Sequence, residues 1–191
     1  MALRKIASIG HPILRERARE VTPGELAAPS TQQLIDDLVA TMRDAHGAGL
    51  AANQVHVPMR ICAIEVADNP RYPYLPGWPL TILVNPVLEP NTRETFLNFE
   101  GCLSVPNLRG QVPRFTGASI RALDRHGSQL DFVVRGLTAG TFQHELDHLD
   151  GTLFVDRVVD TRTLCTWAEF DRFYREEFAM RARDLVARFG S

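Results

Sequence analysis

Lysine is almost absent from this chain: Lys5 is the only one among 21 basic residues in a length of 191. Schiff-base chemistry and phosphate-loop binding, which both rest on a lysine, have almost nowhere to sit. Cysteine is nearly as scarce. Cys62, Cys102 and Cys165 are odd in number and widely spaced, which excludes a disulfide framework and points to a reducing compartment. No run of about 18 apolar residues occurs, and Arg4 and Lys5 have no apolar stretch behind them. Neither a membrane span nor a secretory leader is therefore expected, and a cytoplasmic location with no membrane partner is. A basic excess is missing too. With Lys+Arg 21 against Asp+Glu 23 the net charge is -2, so no field steers the chain onto a phosphate backbone and no specific nucleic acid partner is expected. Repeats and low-complexity blocks are absent, and residues 1–191 are expected to form a single domain.

What is present is a globular composition, 45% hydrophobic and 23% charged. A chain of this length buries roughly 70% of its unfolded surface, so it needs no metal merely to stay folded, and a metal site would serve chemistry. Leu34, Ile35, Leu38, Val39 and Met42 recur at helical spacing and predict a helix over 31–46, capped by Ser30 or Thr31 and stopped by Gly47. Residues 60–66 and 81–88 alternate and are rich in β-branched types, so both read as strands. Between them 68–79 carries Pro70, Pro73, Pro76, Gly77 and Pro79 and reads as a surface loop. Segments 118–123 and 129–134 flank Asp124-Arg125-His126-Gly127, a hairpin signal. After Gly136 the period becomes helical again through Phe142, Leu146 and Leu149, with Gly151 as the stop. A last helix over 163–189 presents Trp167, Phe170, Tyr174, Phe178 and Leu185 to a core. The expected class is α+β: mixed or antiparallel sheets packed around a central metal-binding helix, with a helix near each terminus.

That central helix carries the chemistry. Gln143-His144-Glu145-Leu146-Asp147-His148 contains His-Glu-x-x-His. Two histidines four apart on a helix lie one turn above each other, so both imidazoles reach one metal ion while Glu145 faces the water it activates. The apolar stripe docks the helix and turns both histidines away from it.

A catalytic site of this kind needs three protein ligands and one open position. A third histidine six residues after the second is excluded, because Phe154 stands there and no histidine follows His148. A glutamate about twenty residues downstream completes the site in another group of zinc peptidases, and Glu169 falls near that distance. Upstream stand His11, His46, His56, His126 and the cysteines. Among these, Cys102 lies in Glu100-Gly101-Cys102-Leu103-Ser104, with a glycine beside the thiol near a strand end. Spacing does not choose among these candidates.

Three segments together resemble the peptide deformylases: Gly47-Ala48-Gly49-Leu50-Ala51-Ala52-Asn53-Gln54, then Glu100-Gly101-Cys102-Leu103-Ser104, then residues 143–151, each complete and in the family's order. Gly10-His11-Pro12 with Leu14-Arg15 also fits, so the resemblance covers about 5–160 and leaves 161–191 as a C-terminal helix and tail. It implies that Cys102, His144 and His148 bind one divalent metal, ferrous iron natively, replaceable by zinc, nickel or cobalt. It implies Glu145 as general base, and Gln54 with the Leu103 N–H as the oxyanion site. Gly49 and Arg109 would hold the peptide main chain, with a structural salt bridge as the rival role for Arg109. Ala48, Leu137 and Thr141 would line the methionine pocket, whose breadth depends on the small Gly140. The implied substrates are N-formylmethionyl peptides and nascent chains, deformylated with release of formate, and the ribosome surface is a candidate partner. Two other readings stand beside this one. One is a zinc metallopeptidase with Glu169 as third ligand, and the other is a catalytically silent metal-binding module, which would require neither Glu145 nor Gln54.

Overall fold

Proline and a capping box start the first helices of the computed structural model, which describes residues 2–67 and 74–190. Thr22 and Glu25 cap each other's backbone ahead of α1 (Pro23–Ala27), and Pro29 opens α2 (Pro29–Asp44). The expected cap at Ser30 or Thr31 is absent: Ala28 precedes the helix without a side-chain bond, because a proline in the first turn is already set at the helical φ. Past Asp44 the left-handed residue is His46 (φ 52), not Gly47; the Gly47 N–H returns to Met42 O at 2.9 Å.

β1 (Gly49–Ala51), β2 (Ile61–Val66), β3 (Trp78–Pro90), β6 (Gly117–Leu123) and β7 (Gln129–Arg135) form a five-stranded sheet in the order β1-β2-β3-β6-β7, every neighbour antiparallel. β4 (Thr95–Cys102) and β5 (Val105–Phe115) form a separate antiparallel pair. The hairpin expected around Asp124 joins β6 to β7, where the Asp124 carboxylate accepts from the His126 and Ser128 N–H groups at 2.8 Å and Gly127 takes φ 85. Part of the loop expected over 68–79 lies outside the described residues. Of the rest, Trp78 and Pro79 already belong to β3, where Trp78 pairs with Val66.

β2 is buried on both faces rather than alternating between core and solvent. Ile61 and Ala63 join the cluster of Leu34, Ile35, Leu38 and Met42 from α2. Cys62 and Ile64 join Phe142, Leu146 and Leu149 of α3 (Gly136–Leu149) on the opposite side. The helix therefore packs on one face of the large sheet while it also contacts β5. Gln143 ties it to that strand, accepting from the Phe115 N–H at 3.0 Å and donating to Phe115 O at 2.9 Å. This is the expected α+β arrangement, with the sheets antiparallel throughout.

The last helix is two. α4 (Trp167–Phe173) and α5 (Arg175–Phe189) break at Tyr174, whose φ of -123 leaves the helical region. The break lets Phe170 and Phe178 pack together on Phe99 of β4, a geometry that one straight helix would not give. Truncating a buried phenylalanine of this kind typically costs about 3–5 kcal/mol.

Candidate active site

The His-Glu-x-x-His segment occupies the last turns of α3, and the chain's third donor comes from the end of β4. Cys102 Sγ lies 3.2 Å from His148 Nε2, and the ligand atoms of Cys102, His144 and His148 all fall within 4.8 Å of one another. The two imidazoles meet edge to face, with ring centroids 4.9 Å apart. Among the described residues this is the group of donors arranged to hold a metal ion. The strand ends there because the chain turns at Leu103 and Ser104, and the Ser104 N–H donates back to Cys102 Sγ at 3.3 Å. Glu169 is elsewhere, exposed on α4, so the third-ligand role considered for it has no geometric basis. His11 and His56 face each other, and His126 is exposed in its turn.

A chain of charges orients the first histidine. His144 Nδ1 lies 2.9 Å from Glu100 Oε2, which leaves Nε2 free for a metal. Glu100 is clamped in turn by Arg114, at 2.7 Å through Nε and 2.8 Å through Nη2. Arg114 also donates to Asp147 at 2.6 Å, and Asp147 accepts from the more exposed Arg157. Burial by itself pushes the Glu100 carboxyl up, but Arg114 and His144 outweigh it and hold the group well below the usual carboxylate range. Sequence reading missed this chain of charges. Its one visible signal is that Glu100 stands two residues before Cys102 on a strand, and therefore on the same face.

Glu145 lies on α3 with almost no exposure, and its Oε2 has no hydrogen-bond partner among the described residues. Burial pushes its carboxyl up to about 7, with the His144 charge opposing and the Glu100 charge adding. Gly49 makes this close packing possible: a Cβ there would collide with the Glu145 carboxyl. Gln54 is aimed by its own oxygen. Oε1 accepts from the Ala51 N–H at 2.8 Å, so Nε2 faces Ser104 Oγ at 3.0 Å and Cys102 Sγ at 3.6 Å. Asn53 donates to the carbonyl of His148 and ties the same loop to the end of α3.

These groups open onto a cavity of about 70 Å³ lined by Ala48, Gly49, Gln54, Asn98, Leu103, Gly140, Thr141 and Glu145 among others. Two residues expected there are not. Leu137 is fully buried in the first turn of α3, away from the lining. Arg109 is likewise buried. Its guanidinium lies 3.9 Å from the Phe170 ring centroid and 4.3 Å from that of Trp167, and donates to Phe99 O at 2.5 Å and Tyr74 Oη at 3.0 Å. A cation held against two rings set nearly at right angles braces β5 against α4 instead of reaching into the cavity. Tyr74 and Leu75, unforeseen, stand at its edge.

The model of the family described as polypeptide deformylase matches residues 3–163. "Peptide deformylase 2" of Nostoc sp. is 39% identical over 165 residues, covering 86% of this chain and 91% of that one. "Peptide deformylase 1A, chloroplastic/mitochondrial" of Arabidopsis thaliana is 41% identical over 168 residues, 82% of this chain and 62% of the longer plant protein. Among solved structures, the Met-Ala-Ser-bound class I type b peptide deformylase of Acinetobacter baumannii superposes with a TM-score of 0.79 at 38% identity, over 82% of this chain and 99% of that one.

Proposed function

This chain belongs to the polypeptide deformylase family and removes the formyl group from N-terminal formylmethionine, and on that premise we propose how its own residues do so. The observation that carries the reading is the convergence of Cys102, His144 and His148 beside the buried Glu145. One thiolate and two imidazoles suit a borderline-soft divalent cation, and three protein donors leave a fourth position for water or substrate. We assign ferrous iron as the native ion, with zinc, nickel or cobalt able to replace it. When bound, such a cation supplies a Lewis acid that lowers the pKa of water and polarises the formyl carbonyl.

The rest of the work falls to side chains. Glu145, with a carboxyl near neutrality and one oxygen unpartnered, takes a proton from the attacking water and later delivers it to the departing amine. Formate leaves with the original carbonyl oxygen and the oxygen of the water. The Gln54 amide, fixed by Ala51, presents Nε2 on the cysteine side of the site. There it and the Leu103 N–H donate to the formyl oxygen as it gains charge, and losing one such donor typically costs about 3–4 kcal/mol of barrier. Gly49, pressed against the base, offers main chain to an extended peptide, while Ala48 and Thr141 line the space for the first side chain. Arg109 acts on substrate only through the wall it braces.

The whole of 1–191 serves as one catalytic domain in this reading, working in a bacterial-type cytoplasm on nascent chains near the ribosome surface. Its net charge of -2 favours no nucleic acid, and no helix among the described residues is long and apolar enough to cross a membrane. The test is formate release from a formyl-Met peptide by protein loaded with a known metal, with metal analysis of anaerobically purified protein. Cleavage of internal peptide bonds without formate would refute the reading, and zinc or nickel as the purified ion would refute the iron assignment.

A further inference from the structure

The face that β4 turns toward α3 matches the helix rung by rung. Cys102 meets His148 at 3.2 Å and Glu100 meets His144 at 2.9 Å. One rung further, a Cβ built on Gly140 would lie 3.3 Å from Asn98 Nδ2 and 3.2 Å from Phe96 Cζ. Two residues along a strand advance about 6.8 Å and four along a helix about 6.0 Å, so the ladder stays in step over three rungs. The first two rungs are the metal ligands and their carboxylate. The third has no part in the mechanism above, yet Asn98, Gly140 and Thr141 all line the cavity. A side chain at position 140 would press on Asn98 and Phe96, so the glycine lets the Asn98 amide lie close against the pocket wall.

An amide is an odd wall for a thioether pocket. Of the two hydrogens on Asn98 Nδ2, one is directed at Glu100 Oε1, at 3.3 Å, and that is its single side-chain bond among the described residues. A second donor is left for whatever fills the cavity. Methionine sulfur is a weak acceptor, whereas a sulfoxide oxygen is a strong one and adds a single atom. We propose that Asn98 is a specificity-determining residue that lets the site accept formylated peptides beginning with methionine sulfoxide nearly as well as those beginning with methionine. The inference rests on the deformylase reading and names the substrate range of that same site.

Peptides alike except for formyl-Met, formyl-Met sulfoxide or formyl-norleucine at the first position test it, with metal-loaded protein and kcat/KM from formate release. The intact protein should process the sulfoxide within about threefold of methionine, and faster than norleucine. N98L should lower the sulfoxide-to-methionine ratio by about tenfold, the order expected for one lost hydrogen bond, with circular dichroism and metal content matching the intact protein as the report on correct folding. Should leucine crowd Gly140 and the variant not accumulate, N98A removes the donor with a smaller group and carries the same expectation for the ratio. A sulfoxide peptide more than thirtyfold slower than methionine in the intact protein, or an unchanged ratio in the folded variant, overturns the role of Asn98 alone. No formate from any of the three peptides overturns deformylation and this inference together.

Discussion

Replacing Glu145 by Gln should stabilise the metal-free protein at neutral pH and abolish turnover of the loaded one. The Glu145 carboxyl is raised from 4.5 to about 7, mainly by burial. A carboxyl with a raised folded pKa keeps its proton longer in the folded state than in the unfolded chain. Its favourable contribution is thus complete below about pH 4.5 and is lost as pH climbs through about 7. At about 1.36 kcal/mol per unit, the penalty above that window is about 3 kcal/mol. A glutamine of the same shape never ionises and escapes it. For a chain of this size each kcal/mol moves Tm by roughly 2–4 °C, so E145Q should melt roughly 6–12 °C higher at pH 8. At pH 5, where the native carboxyl is still protonated, the gain should shrink to under about 1 kcal/mol. Thermal melts of chelator-treated wild type and E145Q at both pH values measure the difference. An equal gain at the two pH values, or a lower Tm at pH 8, would refute the reasoning that burial holds the base out of its ionised form.

Three further outcomes are expected. R114A leaves Glu100 buried without its main partner and should cost about 3–5 kcal/mol in denaturant unfolding; in protein that still folds, chelator competition should show metal affinity weakened about 10–100-fold through His144. G49A places a methyl where the Glu145 carboxyl sits; kcat/KM should fall about 100-fold with little change in metal content, and wild-type turnover would contradict the close approach. Ferrous protein should lose activity in air by oxidation at the iron and the Cys102 thiolate, and nickel exchange should protect it; equal half-lives for the two forms would count against the iron assignment.

The sequence by itself determined what repeats locally. The two histidines and Glu145 share a helix, so a period of 3.6 places them without knowledge of the rest of the chain. Asp124 and Gly127 likewise announce their hairpin, and the apolar stripe of α2 announces its buried face. Periodicity says which face a residue occupies but not what comes to meet it. Cys102 stands 46 positions before His148, and on spacing alone it was one candidate among several; the motif resemblance singled it out, and the packing of β4 along α3 brings it within reach. The same packing couples Glu100 to His144, sets Asn98 against Gly140, and carries Arg114 to Asp147. Leu137 lies buried away from the cavity, Arg109 is held against the rings of Trp167 and Phe170 on α4, and Tyr174 breaks the last helix so that Phe170 and Phe178 can share Phe99. Contacts of that range exist only once the chain has closed, since they join elements whose local preferences carry no record of one another.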